Sequence, residues 1–180
     1  EFDEQEYSKA IVHALELEEG KTEGEVVARG RDIKSHGART VVVLGGGMGG
    51  VVAAHRLRHL LSREHRVVLI DRSAEHVFSP SLLWLITGER RTEDIRRPLN
   101  RLAKKGIEFH RDDVREIDVQ HRVVRASSSE FAFDYLVIAL GAELTPQSVP
   151  GFSEAAYNLY RLEDCERLRS ALAGFTGGVI

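Results

Sequence analysis

The sequence predicts an α/β fold with a parallel sheet and an inserted three-stranded antiparallel meander. Three observations lead to it. Thr40–Leu44 (TVVVL) and Arg66–Ile70 (RVVLI) are apolar, largely β-branched runs, the signature of strands buried on both faces. A glycine-rich turn and a helical segment join them into a βαβ unit of about thirty residues. Short alternating segments across 114–133 then precede another buried-type run, Tyr135–Leu140 (YLVIAL).

Composition bounds the class. The chain has 180 residues, 42% hydrophobic and 29% charged, which suits one soluble globular domain with a short appendage and excludes wholesale disorder. No apolar run approaches the roughly 20 residues that span a bilayer. Glu1–Glu6 is acidic rather than basic-then-apolar, so no signal peptide is read there. The single cysteine, Cys165, excludes an internal disulfide framework and a multi-cysteine zinc site, and points to the reducing cytosol. A net charge of −3 gives no bulk electrostatic case for nucleic acid.

The elements follow in order. Residues 1–38 read as an appendage: an acid-rich amphipathic helix with Tyr7, Ile11, Ala14 and Leu15 at helical spacing, a stop at Gly20, then a polar linker. From Arg39 the domain begins. Val51–Leu61 reads as a helix, with Ala53 and Ala54 as its small face and Leu57, Leu60 and Leu61 as its apolar ridge. His76–Gly88 is irregular, with Trp84 and its neighbouring leucines expected in the core or beside a cofactor. A single helix is expected around Thr92–Lys105, broken or restarted near Pro98. Ile107–Arg111, Val114–Val119, Arg122–Ala126 and Phe131–Phe133 read as short strands, and Leu162–Leu172 as a helix. Val179-Ile180 looks like the opening of a further strand, so a second nucleotide-binding unit is expected beyond Ile180.

The chemistry concentrates in Gly45-Gly46-Gly47-Met48-Gly49-Gly50. Gly45-x-Gly47-x-x-Gly50 alone is a weak signal. Its context strengthens it: a buried strand before, a helix after, and Asp71 closing the next strand, 21 positions past Gly50. Gly45 would allow the tight turn, Gly47 a close approach to a pyrophosphate, and Gly50 tight packing of the helix. The helix start, with Met48 and Gly49, would offer unsatisfied N–H groups and about half a positive charge to phosphates. Asp71 would accept hydrogen bonds from both ribose hydroxyls and repel a 2′-phosphate. Arg72 would lie near the adenine or in solvent.

The fingerprint does not choose between NAD and FAD; the segments after it do. A simple NAD-binding domain would continue β-α-β after Asp71, whereas here a meander intervenes. Phe133-Asp134-Tyr135-Leu136-Val137-Ile138-Ala139-Leu140-Gly141 resembles the second cofactor-binding motif of two-dinucleotide flavoproteins, with Leu140 in place of the usual Thr. Residues 39–180 resemble the N-terminal part of the pyridine nucleotide-disulfide oxidoreductase-like flavoproteins, nearest to the sulfide:quinone oxidoreductases and type II NADH dehydrogenases. The resemblance implies a Rossmann-like FAD-binding domain. Ser79-Pro80 would run near the flavin ring, Val114 would read the adenine edge by its backbone, and Ala139, Leu140 and Gly141 would turn beside the cofactor. It implies electron transfer from a small-molecule donor such as NADH or sulfide, through FAD, to a quinone or other acceptor. It leaves room for a homodimer and for a peripheral position at the inner face of a membrane. The alternatives are a non-catalytic dinucleotide-binding module and a plain NAD-binding domain. In the family a C-terminal segment returns to complete the flavin site, so little turnover is expected of this chain alone.

The departures bear on the chemistry. By pattern, Tyr160 stands where the sulfide enzymes carry a redox cysteine, and Cys165 reads as a buried, space-filling thiol. The Cys-x4-Cys pair of the disulfide reductases is absent, so sulfide oxidation has no support in these residues and no catalytic side chain is assigned. His55 and His59 are spaced for a metal but lack a third ligand and read as solvent-exposed; no metal is expected. The basic run Arg90–Lys105 reads as a solvated face.

Overall fold

The computed structural model describes residues 37–177. The chain divides into two units, residues 1–38 and 39–180, and only the second is covered beyond its edge. The helix expected within 1–19, nearly all of the linker and the strand opening at Val179-Ile180 lie outside the described residues.

A four-stranded parallel sheet forms the centre, in the order β5-β2-β1-β9. Its strands are β1 (Thr40–Leu44), β2 (Arg66–Asp71), β5 (Glu108–Arg111) and β9 (Tyr135–Ile138). Alternating side chains feed two cores, as the period of two in a strand requires. Val41, Val43, Val67 and Leu69 meet Ala54 and Leu57 of α1 (Met48–Leu60), together with Leu99, Leu102 and Ile107. On the opposite face, Val42, Leu44, Val68 and Ile70 meet Val124, with Ile117 and Phe131 packed alongside. These come from the antiparallel meander β6 (Val114–Asp118), β7 (Val123–Ala126) and β8 (Glu130–Ala132). Helix covers one face and meander the other, and each fully buried Val, Leu or Ile contributes about 1.5–3 kcal/mol.

The segment between β2 and β5 departs from expectation. Glu75–Val77 (β3) and Arg96–Pro98 (β4) pair as a small antiparallel ribbon. The helix expected over Thr92–Lys105, with a break or restart near Pro98, is therefore three pieces: α3 (Thr92–Ile95), β4, and a 3-10 turn over Leu99–Lys105. Pro98 lacks the N–H that a continuing helix needs, and its ring drives the preceding residue toward extended geometry. Ser79–Ser81 forms a 3-10 turn leading into α2 (Leu82–Thr87). Leu82 and Leu85 are buried with Ile95 and Cys165, whereas Leu83 and Trp84 are exposed. Trp84 instead lies under the Arg90 guanidinium, 5.7 Å from its ring centre, so it is not a core residue.

Two further expectations are corrected. Leu60 does not join the apolar ridge of α1; it is exposed, because the helix ends there and Leu57 already fills the contact with the sheet. Tyr135–Leu140 is not buried throughout. β9 is the sheet edge among the described residues, and Ile138 and Leu140 are 61% and 56% exposed. After β9 come a 3-10 turn (Pro146–Ser148), α4 (Phe152–Ala155) and α5 (Leu162–Ala173).

Asp134 fixes where β9 enters the sheet. Its carboxylate accepts the Thr40 N–H at 2.7 Å and an Arg39 N–H at 2.9 Å. Burial opposes the charge, yet these two donors outweigh it and hold the carboxyl below its ordinary pKa.

Candidate dinucleotide-binding site

The glycine loop leaves the carboxyl end of β1 with Gly45 at φ +103°, a region open to little but glycine. A Cβ on Gly45 would lie 2.3 Å from the Ala139 carbonyl oxygen. A Cβ on Gly50 would lie 1.8 Å from the Gly45 oxygen. Both glycines are thus demanded by the fold of the loop itself. Gly50 packs against the turn as well as the sheet, since Val43 is its third neighbour.

Gly47 is different. Its backbone is ordinary, φ −72° and ψ −171°, and a Cβ there would meet nothing within 4 Å. Gly47, Met48 and Gly49 are exposed between buried Gly46 and buried Gly50. Gly47 is also the N-cap of α1. The first N–H groups of a helix have no partner within it, and no side chain or first-turn acid occupies this end.

Asp71 sits beside the loop and is already engaged. Its Oδ2 accepts the Gly46 N–H at 2.5 Å and its Oδ1 the Ser73 N–H at 2.6 Å. A carboxylate offers about four lone-pair sites, so beyond these two bonds it has capacity for further donors. The sequence reading gave Asp71 the sugar alone; the structure adds the anchoring of the loop. Gly46 was named in the loop without a role of its own, and His76 was not singled out. The His76 Nδ1 lies 2.8 Å from the Gly46 carbonyl oxygen. Gly46 was hidden because the fingerprint spacing passes over it, and His76 because β3 is too short to show a period.

The other expected residues spread around this loop. Val114 lies on the β2 side: it opens β6 just after β5, and the Asp112 N–H bonds the Asp71 carbonyl at 3.0 Å. Its side chain packs on the meander-side core. Ala139, Leu140 and Gly141 lie on the opposite side, at the end of β9; the Ala139 N–H bonds the Leu44 carbonyl at 2.8 Å and Gly141 takes φ +75°. An open cleft of about 460 Å³ is bounded by Arg72, Ser79, Leu82, Ala142, Glu143 and Tyr160, with Pro80 exposed beside it. Arg72 lies largely in solvent, one of the two placements expected for it. It faces Glu143 at 3.6 Å, and Glu143 in turn holds Arg161 at 2.7 Å.

Residues outside this region are quiet. His55 and His59 lie exposed on α1. Among the described residues, no three or more His, Cys, Asp or Glu side chains are grouped to hold a metal, and no helix is long and apolar enough to cross a membrane. Cys165 is fully buried. Burial first, then Asp164 and Glu163, pushes its thiol pKa up, so it stays protonated and inert.

Comparison with known proteins agrees with this geometry. The pyridine nucleotide-disulphide oxidoreductase family matches residues 39–178. A demethylphylloquinone reductase of Synechocystis is 34% identical over 141 residues, covering 73% of this chain and 35% of that protein. An alternative NAD(P)H-ubiquinone oxidoreductase of Arabidopsis thaliana is 37% identical over 151 residues, covering 74% and 29%. The crystal structure of the sulfide:quinone oxidoreductase from Aquifex aeolicus superposes with a TM-score of 0.71 at 33% identity, over 76% of this chain and 32% of that one. The chain spans about a third of the length of these relatives. Proteins of this kind bind FAD. With the family matched from Arg39 through nearly the last residue, and with the glycine loop, Asp71 and the meander in place, the chain belongs to the pyridine nucleotide-disulphide oxidoreductase family.

Proposed function

We propose that residues 39–177 form the FAD-binding part of a flavin-dependent oxidoreductase that passes electrons from NAD(P)H or sulfide to a quinone or another acceptor. One observation carries the reading. Gly47 lacks a side chain that its surroundings would accommodate without contact, at the uncapped start of a helix. The fold does not need glycine there; a phosphate lying against the main chain does.

The residues around it fit a dinucleotide laid across the carboxyl ends of the strands, where open α/β sheets take their ligands. Gly47, Met48, Gly49 and Gly50 would hold the pyrophosphate, with Gly45 shaping the turn. Asp71 would hold the adenosine ribose while keeping Gly46 in place. Val114 would meet the adenine beyond β2. On the other side, Ala139, Leu140, Gly141, Ser79 and Pro80 would border the flavin ring, and Arg72 would close the cleft through Glu143. Exposed Met48, Ile138 and Leu140 offer apolar surface to a flat aromatic ring. When bound, the flavin supplies the two-electron chemistry; the chain supplies position and electrostatics. The described residues hold one cysteine, and it is buried.

The test is direct. The purified chain is scanned for flavin absorbance, then titrated separately with FAD and NADH by fluorescence. Retention or saturable binding of FAD, weakened on the order of tenfold to a hundredfold in Asp71→Ala, supports the reading. Saturable NADH binding with none for FAD overturns it in favour of a plain NAD-binding domain.

A further inference from the structure

We propose that His76 is a positioning residue of the dinucleotide site, which holds the Gly46 carbonyl so that the next peptide presents its N–H to a phosphate. The inference rests on the cofactor reading above and extends it to a side chain outside the fingerprint.

Gly46 is gripped at both ends. Its N–H donates to Asp71 Oδ2, and its carbonyl oxygen lies 2.8 Å from His76 Nδ1. A carbonyl can only accept, so the ring must carry its proton on Nδ1. The third side is closed by Leu99: a Cβ on Gly46 would fall 2.6 Å from its Cδ1. Leu99 and His76 are brought there by the β3–β4 ribbon, in which His76 stands opposite Arg97 and the Leu99 N–H bonds the Ala74 carbonyl at 2.9 Å. The ribbon is thus a wall behind the glycine loop.

The consequence follows from peptide geometry. The Gly46–Gly47 peptide is planar and trans, as no cis bond occurs among the described residues. Its carbonyl and its N–H therefore point to opposite sides. With the carbonyl held by His76, the Gly47 N–H is directed away from the ribbon, at a residue with open space beside it. If the carbonyl were released, the plane could rotate and offer an oxygen to the phosphate in place of a donor.

The experiment compares the unaltered chain with His76→Leu, which has no donor, and His76→Gln, which keeps one. FAD and ADP are titrated against each by fluorescence and calorimetry, and hydrogen exchange of the Gly46 amide, held by Asp71, is followed without ligand. Nitrogen-detected NMR reports the His76 tautomer. The expected result is an Nδ1–H ring. His76→Leu should exchange the Gly46 amide about tenfold faster and bind both ligands about tenfold more weakly, equivalent to about 1.4 kcal/mol and within the range of one hydrogen bond. His76→Gln should recover most of the affinity, which a merely space-filling role would not produce. Unchanged affinity and exchange in His76→Leu, or an Nε2–H tautomer, overturns the proposal. ADP binding that depends on His76 without FAD binding removes the flavin reading and leaves His76 in its role. Failure of both ligands to bind the unaltered chain removes both.

Discussion

Replacing Gly47 and Gly45 separately by alanine should divide binding from folding. At Gly47 the backbone suits any residue and the new methyl meets nothing within 4 Å. Loss of unfolded-chain freedom favours the variant by about 0.4–1 kcal/mol, and alanine's poorer N-capping offsets a similar amount. The net change in stability is about zero. At Gly45 the methyl is forced into φ +103° and to 2.3 Å from the Ala139 oxygen. Backbone strain of about 1–3 kcal/mol joins an overpacking cost of about 1–3 kcal/mol. For a domain of this size each kcal/mol moves the melting temperature by about 2–4 °C. Gly45→Ala should therefore melt roughly 5–20 °C lower, and Gly47→Ala within about 3 °C of the parent. Binding should show the reverse emphasis. The Gly47 methyl occupies the space assigned to the pyrophosphate, and loss of one charge-assisted hydrogen bond, about 1.5–3 kcal/mol, weakens FAD on the order of tenfold to a hundredfold. Thermal melts by circular dichroism and flavin fluorescence titrations read the two effects. A stable Gly47→Ala chain that binds FAD like the parent would refute the reasoning; so would one that melts as early as Gly45→Ala.

Three other outcomes are expected. Asp71→Ala should weaken FAD tenfold to a hundredfold and also lower the urea midpoint by about 1–3 kcal/mol of stability, since the Gly46 and Ser73 amides lose their acceptor; equal unfolding curves would separate Asp71 from the loop. Cys165 should resist Ellman's reagent in native buffer and react at once in urea, because its thiol is buried and its pKa raised; rapid labelling of the folded chain would contradict its place in the α2–α5 core. Asp118, bonded to the His121 backbone and ring and to Arg125, has its pKa lowered to about 2. Its contribution is complete above the unfolded value near 4 and is lost as pH falls from about 4 to about 2. Asp118→Asn should remove that stretch of acid sensitivity from the meander, measured by circular dichroism against pH.

The sheet and the glycine loop were legible because each carries a local signal strong enough to survive without context. Val41–Leu44 and Val67–Ile70 are buried on both faces, so their sequence is apolar at every position rather than alternating. The loop shows because two of its glycines are sterically compelled and one is left bare. The β3–β4 ribbon was illegible for the opposite reason. Its strands are three residues long, hold Arg96, Arg97 and Pro98, and pair across a turn and two short helices; only their position against the loop makes them strands. Arg58 was passed over for a similar reason. It looks like a surface helix charge, yet it is buried and gathers the carbonyls of Leu61, Ser62 and His65 where α1 turns back toward β2. Burial and the nearby Arg63 lower its pKa.

The two sides of the proposed groove differ in finish, and the difference bears on what the chain can hold. On the adenosine side the walls are complete. β2 is buried, β5 and the meander flank it, and Asp112 ties the turn after β5 to Ser128 and to the Asp71 carbonyl. On the flavin side, Ile138 and Leu140 are more than half exposed and Gly141 is open. Ligand affinity follows preorganisation more than contact area. On the proposed reading, the hydrogen-bonded elements (Asp71, the clamped Gly46, the uncapped start of α1) would all address the ADP portion of a dinucleotide. The isoalloxazine would meet only a loose apolar margin. On the proposed reading, binding strength in these residues would be concentrated on the diphosphate and its sugar, with Ile138, Leu140 and Tyr160 left as an exposed margin on the flavin side.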